Sequence, residues 1–396
     1  MTKKSSITQL LKQNMMLIVL VAIVILGNVL TGGILLKPMN ISNLINQNAY
    51  IVILAVGMLM CILTGGNVDL AVGSIVALVG AFAGTFIITW GWNTYLSVLL
   101  CLVLGILMGV WQGFWIAYVR IPAFIVTLSG QLVFRGLTLM ILQGLTISPF
   151  PDAYMRLTTG FIGTADSRKT IALVAGIIIA IIYVVLQVYN RINRKKKGYD
   201  LESIVATVIR TVIIGAVVVW LFYMLSKYRG IPTVMITLAA VLLVYTFITS
   251  KTVMGRHLYA IGGNEKAAKL SGVNTNRLLF LAYVNMAFLA AVAGITFSAR
   301  LNGASPQAGT SFELDAIGSC YIGGASAYGG VGTVGGALIG ALIMGVLNNA
   351  MSILGVSQDA QQVVKGLVLL AAVAFDVISK QKVQIPFFSK LFSRKR

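Results

Sequence analysis

The chain is short of charge, shorter still of acid, and almost without the side chains that do chemistry. Ten carboxylates stand against thirty Lys and Arg in 396 residues, with one histidine and three cysteines. Charged residues are 10% of the sequence, where a soluble domain carries roughly 25%. With His257 as the sole histidine, no Ser/His/Asp set can be assembled. Cys61, Cys101 and Cys320 are isolated, with no CxxC or Cys/His spacing, so no metal site is expected. There is no GxxxxGK[ST], so the chain has no P-loop with which to cradle a nucleotide. No segment outside the apolar runs exceeds roughly 25 residues, too few for a soluble catalytic or receptor domain. An enzyme is not expected, nor a cofactor of the chain's own.

What is present is apolar. Hydrophobic residues make up 58%, and mean hydropathy is +0.93. Spanning a bilayer takes about 20 apolar residues. Uncharged runs of that order cover 13–36, 38–68, 70–119, 170–190, 230–250, 278–299 and 316–358. The run 70–119 holds two spans broken at WGWNT (90–94), and 316–358 holds two broken in the glycine-rich segment 323–336. Weaker runs are 121–144, interrupted by Arg135, 203–226, with Arg210, and 361–380, with Lys365 and Asp376. The expectation is an all-α integral membrane protein of about 12 helices (10–12). The stretch 13–36 follows Lys3, Lys4 and Lys12, is too long for a signal-peptide core of about 7–15 residues, and reads as a retained first helix.

The net charge of +20 is distributed as short basic clusters between apolar runs. That is the positive-inside pattern and not a nucleic-acid surface. With the N-terminus inside, the basic segments 191–197, 251–277 and 380–396 all fall on the cytoplasmic side, as does the C-terminus. Arg300 and the pair Lys227/Arg229 are exceptions.

Glycines recur every four residues at 105/109/113, at 332/336/340 and at 80/84, ridges that let membrane helices pack closely. IPAFIVTLSG (121–130) and IPTVMITLAA (231–240) both open a span with Ile-Pro, a faint internal echo. Ionisable or amide groups at span depth are Asn67, Asp69, Gln131, Arg135, Asn285, Asn348 and Asn349, each a pathway residue or an interhelical hydrogen bond. Asn67 or Asp69 equally caps the following helix, and Glu313 and Asp315 read as helix-start carboxylates.

The segment 251–277 is the one long polar connection between strong spans in the C-terminal half. It carries Lys251, Arg256, Lys266, Lys269 and Arg277 against Glu265 alone. Asn264 is a competent N-cap and Gly272 a helix stop, so a short helix over 264–270 is expected, presenting Ala267 and Ala268 to a groove. Composition alone leaves a docking helix and a solvated loop level.

GRHLYAIGGNEKAAKLSGV (255–273) resembles the cytoplasmic coupling segment of bacterial ABC-importer permeases for monosaccharides of the ribose, xylose and galactose type. TGGNVDLAVGSIVAL (64–78), RIPAFIVTLSG (120–130) and IGGASAYGGVGTVGGALIGALIMGVLNN (322–349) are similar to that family's other signatures, and the likeness runs from about 45 to 380. The two apparent helices of 170–226 resemble an insertion of the longer xylose and multiple-sugar permeases. LSGQ (128–131) partly resembles the LSGGQ signature of ABC ATPases, but it lacks the second glycine, lies in an apolar span and is treated as accidental.

The resemblance implies a single type II-like permease domain over 1–396, with broken or re-entrant glycine-rich elements. It comprises a first helix group (13–144), the insertion (170–226), the coupling loop (251–277) and a C-terminal helix group (278–380). It also implies a multi-pass protein of the bacterial inner membrane that pairs with a second permease copy. Two ATP-binding cassette subunits would bind the ATP, and an extracytoplasmic binding protein would deliver sugar. The coupling residues on this reading are Gly262, Gly263, Asn264, Glu265, Ala267, Ala268 and Gly272; the pathway residues are Asn67, Asp69, Gln131, Arg135, Asn285 and Asn348. The family's EAA-x-x-x-G element is matched at Ala267, Ala268 and Gly272, with Lys266 in the place of its Glu and Glu265 one position earlier. The alternative class is an ion-coupled secondary transporter.

Overall fold

A computed structural model describes residues 15–198 and 204–381. The N-terminal lysines and the C-terminal basic cluster, on which the expected sidedness of both termini rests, lie outside the described residues. The helices are α1 (Met15–Leu30), α2 (Pro38–Leu63), α3 (Val72–Gly84, continued by a π turn Thr85–Thr89), α4 (Thr94–Ala117), α5 (Ala123–Leu142), α6 (Asp152–Met155), α7 (Arg168–Lys196) and α8 (Ile204–Ser226). They continue as α9 (Val234–Lys251), α10 (Val253–Gly263), α11 (Glu265–Leu270), α12 (Thr275–Leu301), α13 (Phe312–Ile322), α14 (Val334–Ile353) and α15 (Gln358–Gln381).

Among the described residues ten helices are long and apolar enough to cross a membrane. Helix α1 is shorter. The expectation of two full spans within 316–358 needs correction, because the first of them, α13, has 11 residues, or about 16 Å of rise against a hydrocarbon core of about 30 Å. Gly323, Gly324, Gly329, Gly330 and Gly332 follow it, and the last four have positive φ. A helix cannot continue through that backbone, so the chain runs on irregularly, with Ala325, Ser326 and Gly329 buried and Tyr328 and Val331 exposed.

The core is built on α2, α3, α12, α13 and α14. In the α2 span 83% of the residues are buried, against 11% in α7, which separates central from lipid-facing helices. Helix α12 lies against α4, α2 and α3. Its approach to α4 runs along the 105/109/113 ridge. A Cβ placed on Gly105 would sit 2.4 Å from Ala291 Cβ, and one on Gly109 would sit 2.7 Å from Val284 Cα. The pair α7/α8 packs mainly on itself and touches the core through α8 and α2.

Helix ends follow the local sequence. Pro38 opens α2 in the first turn, where its missing N–H costs nothing. Asn93 Oδ1 accepts from Tyr95 N and Leu96 N at the start of α4, and Thr333 Oγ1 accepts from Gly336 N at the start of α14. At one end of the bundle Thr252, Asn264 and Asn274 cap α10, α11 and α12 in succession, each taking a backbone N–H three residues on. The expected loop 251–277 is therefore two short helices held between two long ones.

Candidate functional site

The stretches singled out in the sequence meet at that end of the bundle. Helix α10 lies so close to the glycine segment that a Cβ on Gly262 would be 2.1 Å from both Gly330 N and Leu63 O. Gly330 N donates to Leu63 O, and Tyr259 Oη donates to Gly332 O. A Cβ on Gly66 would be 2.0 Å from Ala327 O, and one on Gly130 would be 2.9 Å from Gln112 Nε2. In each case only the absence of a side chain lets two backbones, or a backbone and an amide, come this near.

On the outer side of this junction is α11. Asn264 Oδ1 accepts from Ala267 N at 3.0 Å, and Gly272, at φ +85°, turns the chain toward α12. The helix bounds are those expected, but the face is not. Ala268 is buried against the protein, together with Leu258 and Ile261 of α10, and so is not presented to a groove. What faces outward is Ala267, Lys266, Lys269 and above all Leu270, which is 90% exposed. Glu265 accepts from Arg120 at 2.8 Å, and Arg120 also bonds Thr275 and Asn276. Arg120, at φ +65° in the α4–α5 turn, thereby ties α11 and the start of α12 to the 120–130 stretch. Behind the pair lies a cavity of about 190 Å³ lined in part by Thr64, Asn67, Pro122 and Ile261.

The other polar residues do not converge on one point. Asn67 bonds Thr64 beside the inner cavity. Asp69 is wholly buried, and its Oδ1 takes Ala71 N at 2.9 Å, as a capping carboxylate would, and Gln112 at 3.5 Å. Asp69 Oδ2 and Gln112 Oε1 have no hydrogen-bond partner among the described residues. Arg135 donates to Pro306 O and Ala308 O, both at 2.7 Å, which satisfies a cation facing protein. Gln131 is half-buried on the same helix, α5. Asn285 accepts from Tyr245 Oη. Asn348 and Asn349 border a larger cavity at the opposite end of the bundle.

That second cavity, of about 310 Å³, lies between the start of α2, the end of α12, the start of α13, the end of α14 and α15. Asp315, wholly buried behind its wall, is paired with Lys365 Nζ at 2.9 Å and accepts from Tyr50 Oη at 3.0 Å and Asn348 Nδ2 at 3.4 Å.

The model of the family described as branched-chain amino acid transport system / permease component matches residues 40–373. The chain is 38% identical over 367 residues to the xylose transport system permease protein of Haemophilus influenzae, covering 93% of this chain and 96% of that one. Identity to the ribose import permease protein is 37% over 341 residues in Bacillus subtilis (86% and 85% of the two chains) and 33% over 337 residues in Escherichia coli (85% of each). No solved structure matches.

The chain belongs to this permease family. It is a multi-pass membrane protein and the permease component of a transport system, so it works together with other components.

Several residues of the permease escaped the reading from sequence. Asp315 sits in the first turn of α13, as a helix-start carboxylate does, but that reading gives no sign of its ion pair with a lysine fifty positions on. Tyr50, buried in an apolar run, gives no polar signal until its hydroxyl is seen on Asp315. Arg300 did leave a trace, as an exception to the positive-inside pattern, and it lines the cavity at the end away from α11. The other exceptions are likewise accounted for by contacts: Lys227 lies 4.5 Å from the Tyr223 ring centre, and Arg229 lies 5.9 Å from that of Phe161.

Proposed function

We propose that this chain is the membrane-spanning subunit of an ATP-driven importer of a monosaccharide, xylose or a related sugar, in the bacterial inner membrane. The bound ATP belongs to a pair of partner ATPase subunits, and the permease itself carries no cofactor and binds no nucleic acid. A second copy of the permease completes the pathway, and an extracytoplasmic binding protein delivers the sugar. The likeness to xylose and ribose permeases supports the substrate class.

The observation that carries the coupling role is the build of α11. It is capped, backed by buried Ala268 and tied down through Glu265 and Arg120, yet it holds Leu270 out at 90% exposure. A leucine held rigidly in water gives up roughly 1.5–3 kcal/mol that burial against a partner would recover, and Lys266 and Lys269 flank it for an acidic rim. Because α10 touches the glycine segment, a push on α11 reaches the interior.

The test is sugar uptake in proteoliposomes holding the permease, its ATPase and its binding protein. ATP-dependent uptake of D-xylose, reduced at least tenfold by Leu270→Asp with the chain still inserted and folded, supports the reading. Uptake by the permease alone, lost when an ion gradient is collapsed and indifferent to Leu270→Asp, would replace it with ion-coupled secondary transport.

A further inference from the structure

On the reading proposed above a binding protein delivers the sugar, and nothing in that arrangement requires the permease to hold it. The cavity at the end of the bundle opposite α11 has the features of a holding site. Its volume, about 310 Å³, is at the small end of the range of about 300–1,000 Å³ for pockets that take organic ligands. Seven Asn and Gln side chains line it, so its wall offers donors and acceptors in near-equal number, as a ligand made of hydroxyls requires. One of these amides is unsatisfied: Asn348 Oδ1 is buried without a hydrogen-bond partner among the described residues.

Four of the other amides are held in place, Asn48 donating to Leu44 O and Gln361 to Val356 O while Asn349 and Gln47 bond each other. Asn349 donates to Gln47 Oε1 at 3.2 Å and exchanges hydrogen bonds with Asn40, so Gln47 is fixed from behind. The far wall is aromatic. The Tyr50 and Phe312 rings stack with centres 3.8 Å apart, and Phe297 stands edge-on to both, an apolar surface for the C–H face of a pyranose. Lys365 is neutralised by Asp315, which leaves Arg300, without a hydrogen-bond or carboxylate partner among the described residues, as the one uncompensated charge. Its fixed fork of N–H donors suits hydroxyl oxygens. Some thirteen residues of α2 separate Tyr50 from Leu63, so the cavity sits roughly 20 Å from the coupling end.

We infer that this cavity is a binding site for one neutral monosaccharide within the permease, where sugar released by the delivery protein waits for the pathway to open. The inference rests on the reading of the chain as a sugar permease. The aromatic cluster and the Asp315–Lys365 pair form the inner wall of the site, and the amides and Arg300 make the contacts.

The experiment is equilibrium binding of radiolabelled D-xylose, with D-ribose and D-galactose in parallel, to the full-length permease in nanodiscs without ATPase or binding protein. Millimolar binding of at least one sugar is expected, weakened at least tenfold by Arg300→Met and by Asn348→Leu, and unchanged in Leu270→Asp. Arg300→Met removes a half-buried cation with no partner, so it is not expected to unfold the chain, and its elution and thermal stability are measured alongside. Three results would overturn the inference: wild type binds none of the three sugars; the variants bind as well as wild type; or D-xylonate binds more tightly than D-xylose, which would make this an anion site. ATP-driven uptake by the complete transporter is measured on the same preparations. Uptake retained without binding defeats the holding site alone, whereas absent uptake defeats the permease reading itself.

Discussion

Replacing Lys365 with methionine tests whether the buried pair behind the cavity bordered by Asn348 is as interdependent as its geometry implies. Both oxygens of Asp315 lie within 3.0 Å of Lys365 Nζ, Asp315 is wholly buried, and the lysine side chain is 13% exposed. Methionine keeps most of the lysine stem and its packing but removes the charge, leaving Asp315 with only Tyr50 and Asn348 as side-chain donors. Breaking a buried pair from one side costs about 3–5 kcal/mol, because an uncompensated charge remains. Replacing both members is cheaper, often neutral, since no charge is left behind. The expected order of stability is therefore wild type, close to Asp315→Asn/Lys365→Met, then Lys365→Met alone. At the entropy of unfolding typical of a globular chain this long, the single change lowers the midpoint by roughly 4–6 °C. The assay is fluorescence-detected size-exclusion after heating, at one fixed heating protocol because unfolding of such a chain is irreversible. A single variant within 1 °C of wild type, or a double variant worse than the single, would refute the reasoning.

Three further expectations follow from close contacts. Gly109→Leu should separate α4 from α12 and cost at least 3 kcal/mol, seen as aggregation on solubilisation, while Gly136→Leu, whose Cβ meets nothing within 4 Å, should insert normally. Gly272→Ala keeps the space but not the backbone freedom: at φ +85° it should destabilise α11 by about 1 kcal/mol and lower ATP-driven uptake severalfold, measured in the proteoliposome assay. Arg120→Ala removes a half-exposed ion pair, so melting should change by less than about 1 kcal/mol while coupling of hydrolysis to uptake falls.

What the sequence showed and what it hid divide by distance along the chain. The helices of the bundle and the cap Asn264 follow from runs and spacings of a few residues, and the chain obeys them. The span pattern fails before the expected glycine break, where the helix Phe312–Ile322 has only 11 residues and is too short for a full span. The long-range pairs were out of reach. Nothing near Asp315 points to Lys365, and nothing near Glu265 points to Arg120, since each pair depends on how helices far apart in sequence are placed. The six pathway candidates show the same limit, because polarity at span depth marks a residue as needing a partner without saying that the partners share a site.

The glycine segment lies between the two ends of the molecule, and one pair of variants tests whether it couples them. It follows α13, whose first turn carries Asp315, and ends against α10, where Gly330 N bonds Leu63 O and Tyr259 Oη bonds Gly332 O. Gly262 and Gly263 are neighbours at the end of α10, but a Cβ on the first would be 2.1 Å from Gly330 N and Leu63 O, and a Cβ on the second meets nothing within 4 Å. Gly262→Ala must therefore move α10 away from the segment by more than 1 Å, to reach ordinary van der Waals contact of about 3.5 Å, whereas Gly263→Ala moves nothing. Both keep α11 and its exposed Leu270, so both should still bind the ATPase. If motion of α11 reaches the cavity through this contact, Gly262→Ala should hydrolyse ATP at near the wild-type rate while importing at least tenfold less sugar per ATP, and Gly263→Ala should behave as wild type. Equal stoichiometry in the two variants would mean that the contact is packing only, and that the stroke travels by another helix.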